Sequence, residues 1–308
     1  MLPRLPLIIS TAAGAGRPEQ VEPVLRGALA AEFTLDIRYA RSLDALRAAV
    51  ADELARGVST LGIGGGDGTL HHAVNAIGDA RVTLAPLPLG TGNDFCRGVG
   101  LATLGRALAA IRQRQSRPVD LLDVNGRRVL TVAGLGVVAR SALRVGRLTR
   151  PGSALRPPLR ALGRNAYLFA GGLHLLLEPR LSAAVLVRWR ATTSGATDAT
   201  QGIYYGAFLA VRPTLGAGMR LPLDVPPDDG RFEIVLVEPA ARLKVAWNLP
   251  RLRRGRPLSD GILRIHQATE CEIAWDGGSS VLGDGEDLGR AACVRARVLP
   301  HALRVTVG

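Results

Sequence analysis

Through the first third of the chain, short apolar runs alternate with stretches whose apolar residues recur every three or four positions. That alternation predicts a parallel sheet flanked by helices. Residues 5–10 form a first strand pattern, and after a glycine-rich turn at 12–17 the spacing of Val21, Val24, Leu25, Ala28 and Leu29 predicts a helix with Pro18 in its first turn. Residues 34–39 predict a second strand. Ser42 can cap a helix carrying Leu43, Leu46, Val50 and Leu54, closed by Gly57, and residues 60–63 predict a third strand. A glycine run at 64–68 follows directly, then a helix at 70–77, a strand at 82–87 and, beyond a second polar loop, a helix at 104–114.

From Val119 the period changes to two. Residues 121–124 and 128–133 flank Asn125-Gly126, the strongest short hairpin signal. Further strand patterns at 181–191, 203–211, 232–237, 262–265, 272–275, 294–298 and 303–307 predict a β-rich second half. The expected fold is therefore an α/β N-terminal domain with a parallel sheet, followed by a β-rich, antiparallel, sandwich-like C-terminal domain. With 308 residues, 47% of them hydrophobic, two domains are expected. Their predicted extents are 1–118 and 119–302, with a last strand at 303–308 able to return to the first domain.

No run approaches eighteen uninterrupted apolar residues, and residues 1–10 lead into a strand pattern rather than a signal peptide. A cytoplasmic protein is expected. Cys96, Cys271 and Cys293 form no CxxC pair, so neither a disulfide framework nor a zinc site is suggested. The formal charge of +13 arises from 39 basic and 26 acidic residues, and Lys244 is the only lysine. A P-loop needs a lysine after its glycines and a protein kinase needs one on an early strand. Lys244 stands in neither context, which excludes both. The basic balance favours an anionic partner. Nucleic acid is not expected, since aromatics make up only 4% of residues and no recognition module is present.

Candidate chemistry is concentrated in two loops. Gly64-Gly65-Gly66-Asp67-Gly68-Thr69 lies between a strand and a helix, where amides and a helix N-terminus can face phosphate. Asp67 would repel phosphate unless magnesium shares the site. Taken alone, such a run is also compatible with a tight turn. Pro88-Leu89-Gly90-Thr91-Gly92-Asn93-Asp94-Phe95 follows the next strand and again combines flexible backbone, a hydroxyl and a carboxylate. Loops at successive strand ends of an open α/β sheet converge on one side, where such folds bind ligands.

These residues resemble the diacylglycerol kinase catalytic-domain family of bacterial lipid kinases, which is related to sphingosine kinases and more distantly to NAD kinases. GGDGT is shared across that wider group, whereas PxGTxNDFxR, present as residues 88–97, is specific to the lipid kinases. Val119-Asp120, Asp228-Asp229-Gly230-Arg231-Phe232 and Gly283-Asp284-Gly285-Glu286 follow as further landmarks in the expected order. The resemblance implies an ATP- and magnesium-dependent kinase of a membrane lipid. It places Gly14, Gly65, Gly66, Asp67, Gly68, Thr69, Thr91, Asn93 and Asp94 along the nucleotide, and Asp67, Asp94, Asp120 and Asp284 in a metal and water network. Glu286 takes the part of general base, beside Asp284 and Asp67. Asp229, with the carbonyls of Pro226 and Arg231, is similar to a structural magnesium site. Without the resemblance, 284–287 is simply an acidic turn.

Two departures stand out. The family's Asn-Pro-x-x-Gly after the first strand is replaced by Ser10-Thr11-Ala12-Ala13-Gly14, and its Asn-Glu after GGDGTL by His71-His72. Adjacent helical histidines point apart, so they predict no zinc pair. A kinase of a soluble acceptor such as NAD, or a catalytically silent nucleotide- or lipid-binding protein, stays open on sequence alone. Residues 124–177 carry nine arginines and no acid, interspersed with leucines and aromatics. That segment, including Arg147, Arg150, Arg156 and Arg160, is expected to dock peripherally on an anionic membrane surface. A homodimer is left open.

Overall fold

The computed structural model describes residues 2–11, 18–148, 178, 181–191, 195–215, 219–223, 225, 228–253, 256, 258 and 261–307. The chain divides into two compact units, 1–121 with 300–308, and 122–299.

The first unit is a parallel sheet with helices. Strands β1 (Arg4–Ser10), β2 (Thr34–Ala40), β3 (Thr60–Gly65) and β4 (Thr83–Pro88) alternate with helices α1 (Pro18–Leu29), α2 (Leu43–Ala55) and α3 (Asp67–Ile77). The order is β4-β3-β1-β2, all parallel. Beside β4, Arg304 and Val305 pair in parallel with Thr83 and Leu84. Leu5, Leu7, Ile8, Ile9, Leu61, Ile63, Leu84 and Leu87 are buried, as the near-continuous apolar strands of a sheet covered on both faces should be. Each such side chain contributes about 1.5–3 kcal/mol of transfer free energy. Ser42 caps α2 by accepting from the Ala45 amide, and Gly57 beyond it has φ +70°, as their sequence signals predict. Glu53 on α2 is fully buried yet paired with Arg4, Arg38 and Arg56 at 2.7–3.1 Å, and the Arg4 guanidinium holds its carboxyl below the usual range. The chain leaves β1 in one direction for β2 and reaches β3 on the other side, so the order reverses at β1. Open α/β sheets bind ligands beyond the carboxyl ends of the strands at such a reversal.

Two helices follow β4: α4 (Asp94–Gly98), which sequence periodicity is too short to reveal, and α5 (Leu104–Gln113), capped by Thr103. Strand β5 (Ser116–Val124) turns through Asn125-Gly126, with φ +50° and +80°, into β6 (Arg127–Val129). These angles are the type I′ turn that Asn-Gly predicts.

The second unit is antiparallel. It comprises β6, β7 (Val132–Gly136), α6 (Val137–Leu148), β8 (Ala183–Ala191), β9 (Thr197–Tyr204), β10 (Gly206–Ala210), β11 (Phe232–Val237), α7 (Arg242–Arg253), β12 (Leu263–Gly283) and most of β13 (Glu286–Thr306). β10 lies between β7 and β11, while the 21-residue β12 pairs successively with β11, β8, β13 and β7. Phe232, Ile234, Trp275, Ile273, Val187 and Val294 belong to its main apolar core.

Several strand limits differ from expectation, each for a local reason. The single strand expected over 128–133 is interrupted at Leu130 and Thr131, whose amides turn away from the ladder to bind the carboxylate of Asp284. The strand expected over 203–211 breaks at Tyr205, whose amide donates to Val237 and whose carbonyl accepts from Val137. The patterns at 262–265 and 272–275 are the start and the middle of one strand, which bulges between Ala274 and Ser279, where Gly277 and Gly278 take positive φ, and runs on to Gly283. β9 is polar and largely exposed, so period-two burial could not announce it.

Candidate functional site

Two glycine loops stand at the carboxyl ends of adjacent strands β3 and β4 and touch backbone to backbone. The Leu89 amide donates to the Gly65 carbonyl at 3.0 Å. A Cβ on Gly90 would lie 2.4 Å from Gly66 Cα, so nothing larger than glycine fits there without parting the loops. Gly65 is constrained in the same way by α3, since its Cβ would fall 2.5 Å from Thr69. Thr69 is thus buried packing against the strand end rather than held out into solvent. Helix α3 begins at Gly66 with no side-chain cap, leaving its first amides to be satisfied from beyond the helix.

The second loop is rigid within itself. Asn93, in the left-handed region at φ +53°, accepts from the Gly90 amide at 2.9 Å and donates to the Gly90 carbonyl at 2.8 Å. That ring sets the entry to α4, whose first residue is Asp94, 2% exposed. Thr91 is exposed at the loop tip. Asp67 ties the loops together, its Oδ1 accepting from the Phe95 amide at 3.2 Å. A Cβ on Gly92 would lie 2.7 Å from Asp67 Oδ2 and 3.0 Å from Asp94 Oδ2, so both oxygens border one small space over a bare glycine. Two carboxylates so close repel each other in a partly buried setting, and a hard divalent cation with oxygen ligands is the species that relieves this. The residues present therefore fit both a phosphate group and magnesium. Sequence alone singles out Thr91, Asn93 and Asp94 here and passes over Gly90 and Gly92. The available signal was glycine spacing within a loop already rich in glycine.

The remaining candidates are placed as follows. Gly14 and Pro226 lie outside the described residues, as does most of the basic segment 124–177, including Arg150, Arg156 and Arg160. Asp120, fully buried on β5, accepts from the His301 amide at 2.8 Å within the first unit. Asp229 Oδ1 accepts from the Arg231 amide at 3.2 Å in a tight turn of the second unit. Beside it, Asp228 forms a buried ion pair with Arg212 at 2.9 Å, which no sequence pattern announces. Among the described residues no group of three or more His, Cys, Asp or Glu side chains is arranged to hold a metal. His71 is buried and His72 partly so, their rings edge to face, and His72 Nδ1 lies 3.4 Å from Arg47. Burial pushes the Cys96 thiol up, which disfavours the reactive thiolate.

Asp284 and Glu286 belong to the second unit and are joined by a two-residue hairpin. Gly283 pairs with Glu286, and between them Asp284 and Gly285 have φ +52° and +92°, a type I′ turn. The Asp284 carboxylate accepts from the Leu130 amide at 2.9 Å and from the Thr131 amide and hydroxyl at 2.8 Å each. Its own amide donates to the Val132 carbonyl. Arg212 reinforces the same point by donating to the Leu130 carbonyl at 2.8 Å. Asp284 thus clamps the turn that carries half-buried Glu286, and Glu286 inherits a fixed backbone position.

Asp284→Ala removes the acceptor of two buried amides, each costing about 1–3 kcal/mol when left unsatisfied. We expect a loss of roughly 2–5 kcal/mol in urea unfolding, with Asp284→Asn in between because it keeps one acceptor oxygen. An unchanged denaturation midpoint in the alanine variant would show that the clamp is idle.

The comparisons with known proteins agree with this geometry. Residues 4–124 match the diacylglycerol kinase catalytic domain, and residues 184–307 match the YegS C-terminal NAD kinase beta sandwich-like domain. A Pseudomonas aeruginosa protein named probable lipid kinase YegS-like is 44% identical over 89 residues, 28% of this chain and 30% of that one. The Pseudomonas fluorescens protein of the same name is 28% identical over 293 residues, 93% of this chain and 90% of its own. The diacylglycerol kinase of Bacillus subtilis is 38% identical over 76 residues, 23% of this chain and 25% of that one. A crystal structure of a diacylglycerol kinase from Bacillus anthracis has the same fold, with a TM-score of 0.72 at 18% identity, covering 99% of this chain and 97% of that one. With the catalytic-domain match spanning both glycine loops and the C-terminal match spanning the Glu286 hairpin, this chain carries a diacylglycerol kinase catalytic domain over residues 4–124 and a YegS-type C-terminal domain over residues 184–307.

Proposed function

We propose that this protein transfers the γ-phosphoryl group of ATP to the hydroxyl of a membrane lipid, with diacylglycerol or a related glycerolipid as first candidate acceptor. One observation carries the reading. The GGDGT and PLGTGNDF loops meet backbone to backbone, with the Asp67 and Asp94 carboxylates turned to one space beside an uncapped helix start. The backbone amides at Gly66 to Thr69 receive phosphate oxygens, the part a lysine plays in a P-loop. Asp67 and Asp94 would hold magnesium, which supplies neutralisation of charge on the phosphates. In the step itself the lipid oxygen bonds to the γ-phosphorus as the bond to the ADP oxygen breaks, and the hydroxyl proton passes to the Glu286 carboxylate. Gly14 is proposed to add a contact to the nucleotide. Association with the bilayer is proposed to be peripheral, since no described helix is long and apolar enough to cross it.

The description of the C-terminal domain names NAD kinase, so a soluble acceptor is the competing reading. Both are tested together. Purified protein is incubated with radiolabelled ATP, magnesium and, separately, dispersed diacylglycerol, ceramide, a sphingoid base and NAD. Label in a phospholipid, dependent on magnesium, is the expected result. Label in NAD alone, or in no acceptor from folded protein, overturns the proposal.

A further inference from the structure

Helix α7 in the second unit was not legible from periodicity, and its outward face is unlike that of an ordinary surface helix. Its inward face is anchored: Val245 packs with Val137 and Leu181, and Leu252 packs in a cluster with Val132, Leu221 and Val235. One turn apart on the outward face, Leu243 and Trp247 are 74% and 82% exposed, the most exposed large apolar residues described. A lone exposed leucine needs no explanation, but tryptophan is highly buried on average, and here it extends an apolar stripe. The stripe is set among positive charge. Residues 239–259 carry Arg242, Lys244, Arg251, Arg253, Arg254 and Arg256 and no acidic residue. Arg242, Lys244 and Arg251 are exposed.

We propose that α7 docks the protein on an anionic phospholipid surface, with Leu243 and Trp247 entering the headgroup boundary and the flanking arginines and lysine on lipid phosphates. Interfacial helices combine these elements, apolar residues with tryptophan on one side and basic residues around them. Charge complementarity selects the occupant. A second copy of this helix would bring a second acid-free basic stretch against the first, and like charges oppose that pairing. Nucleic acid or an acidic protein answers the charge but offers no acyl layer for Leu243 and Trp247. The inference deepens the lipid-kinase reading, on which its biological sense rests, but lipid binding requires no turnover.

Tryptophan fluorescence gives a direct readout. Of the three tryptophans, Trp189 and Trp275 are buried at 8% and 4% exposure, so Trp247 reports the surface. Full-length protein without nucleotide is titrated with phosphatidylglycerol vesicles and, separately, with phosphatidylcholine vesicles, following emission and co-sedimentation. The expected result is a blue shift and binding with the anionic vesicles only, weakened by added salt. Leu243→Ser with Trp247→Ala should remove the shift and weaken binding about tenfold. Arg251→Gln should weaken it about fivefold, the equivalent of one basic residue at an anionic surface. Phosphorylation of short-chain diacylglycerol in detergent micelles should be unchanged in both variants.

Three results would overturn the proposal. One is equal vesicle binding by the double variant and wild type. Another is an equal blue shift with duplex nucleic acid. The third is a vesicle-free dimer that the double variant converts to monomer, which would make this face a subunit contact. Vesicle binding that persists while no lipid is ever phosphorylated would instead sink the kinase reading and leave the docking helix standing.

Discussion

Asp67→Asn is expected to lower ATP-dependent lipid phosphorylation about 10³-fold while leaving the protein folded. The substitution is nearly isosteric and keeps an oxygen for the Phe95 amide, which now holds the two loops together at 3.2 Å. What it removes is one of the two carboxylate charges that border the space beside Gly92. A divalent cation loses half of its fixed counter-charge there, and metal stabilisation of transferring phosphate is worth several kcal/mol, about a factor of ten for each 1.4 kcal/mol. The variant should also need more magnesium for half-maximal rate, whereas a purely structural role for Asp67 would lower stability and leave the magnesium requirement alone. Initial rates across a magnesium titration, with melting curves beside them, separate the two outcomes. Wild-type rate at low magnesium would take Asp67 out of the chemistry.

Much of the first unit was readable because its determinants are local. Ser42 and Gly57 bound α2 through contacts made within a few residues, and strands such as β1 and β3 are apolar along their whole length because both faces are covered. The glycine loops were legible for the same reason. A glycine run between strand and helix announces close backbone approach, although not that Gly90 approaches Gly66 in particular. The second unit was harder because its determinants are distant in sequence. Nothing near Leu130 and Thr131 says that their amides will leave the ladder for a carboxylate more than 150 residues away. Nor does Arg212 reveal its partner Asp228, 16 residues further along the chain. Helices α6 and α7 were missed because they lie within a region whose surrounding period is two, and because the outward face of α7 is apolar where a solvated helix would be polar.

The Asp-Gly signal at 284–285 was the same turn chemistry as Asn125-Gly126, and both pairs adopt positive φ. Read for charge, 284–287 is an acidic turn; read for backbone, it is a hairpin that presents Glu286 as the first residue of a long strand. The two acids then have different tasks. Asp284 binds the Leu130 and Thr131 amides and so fixes the turn, while proton transfer is the task proposed for Glu286.

Glu286→Gln is therefore the sharper test of mechanism. The amide keeps the shape and hydrogen-bonding reach of the carboxylate but cannot accept the lipid proton, and loss of a general base costs about 10²- to 10⁴-fold in rate. Folding should be unaffected, because the turn is held by Asp284 and by positive φ at Asp284 and Gly285, none of which the substitution touches. Nucleotide affinity should also be close to wild type, since the two glycine loops are unchanged. The expected signature is a fall in kcat with little change in the KM for ATP, and loss of the acidic limb in the pH dependence of kcat/KM for the lipid, because that limb reports ionisation of the base in free enzyme. If the glutamine variant instead keeps that limb and the wild-type kcat, the proton of the lipid hydroxyl goes elsewhere and Glu286 has no part in removing it.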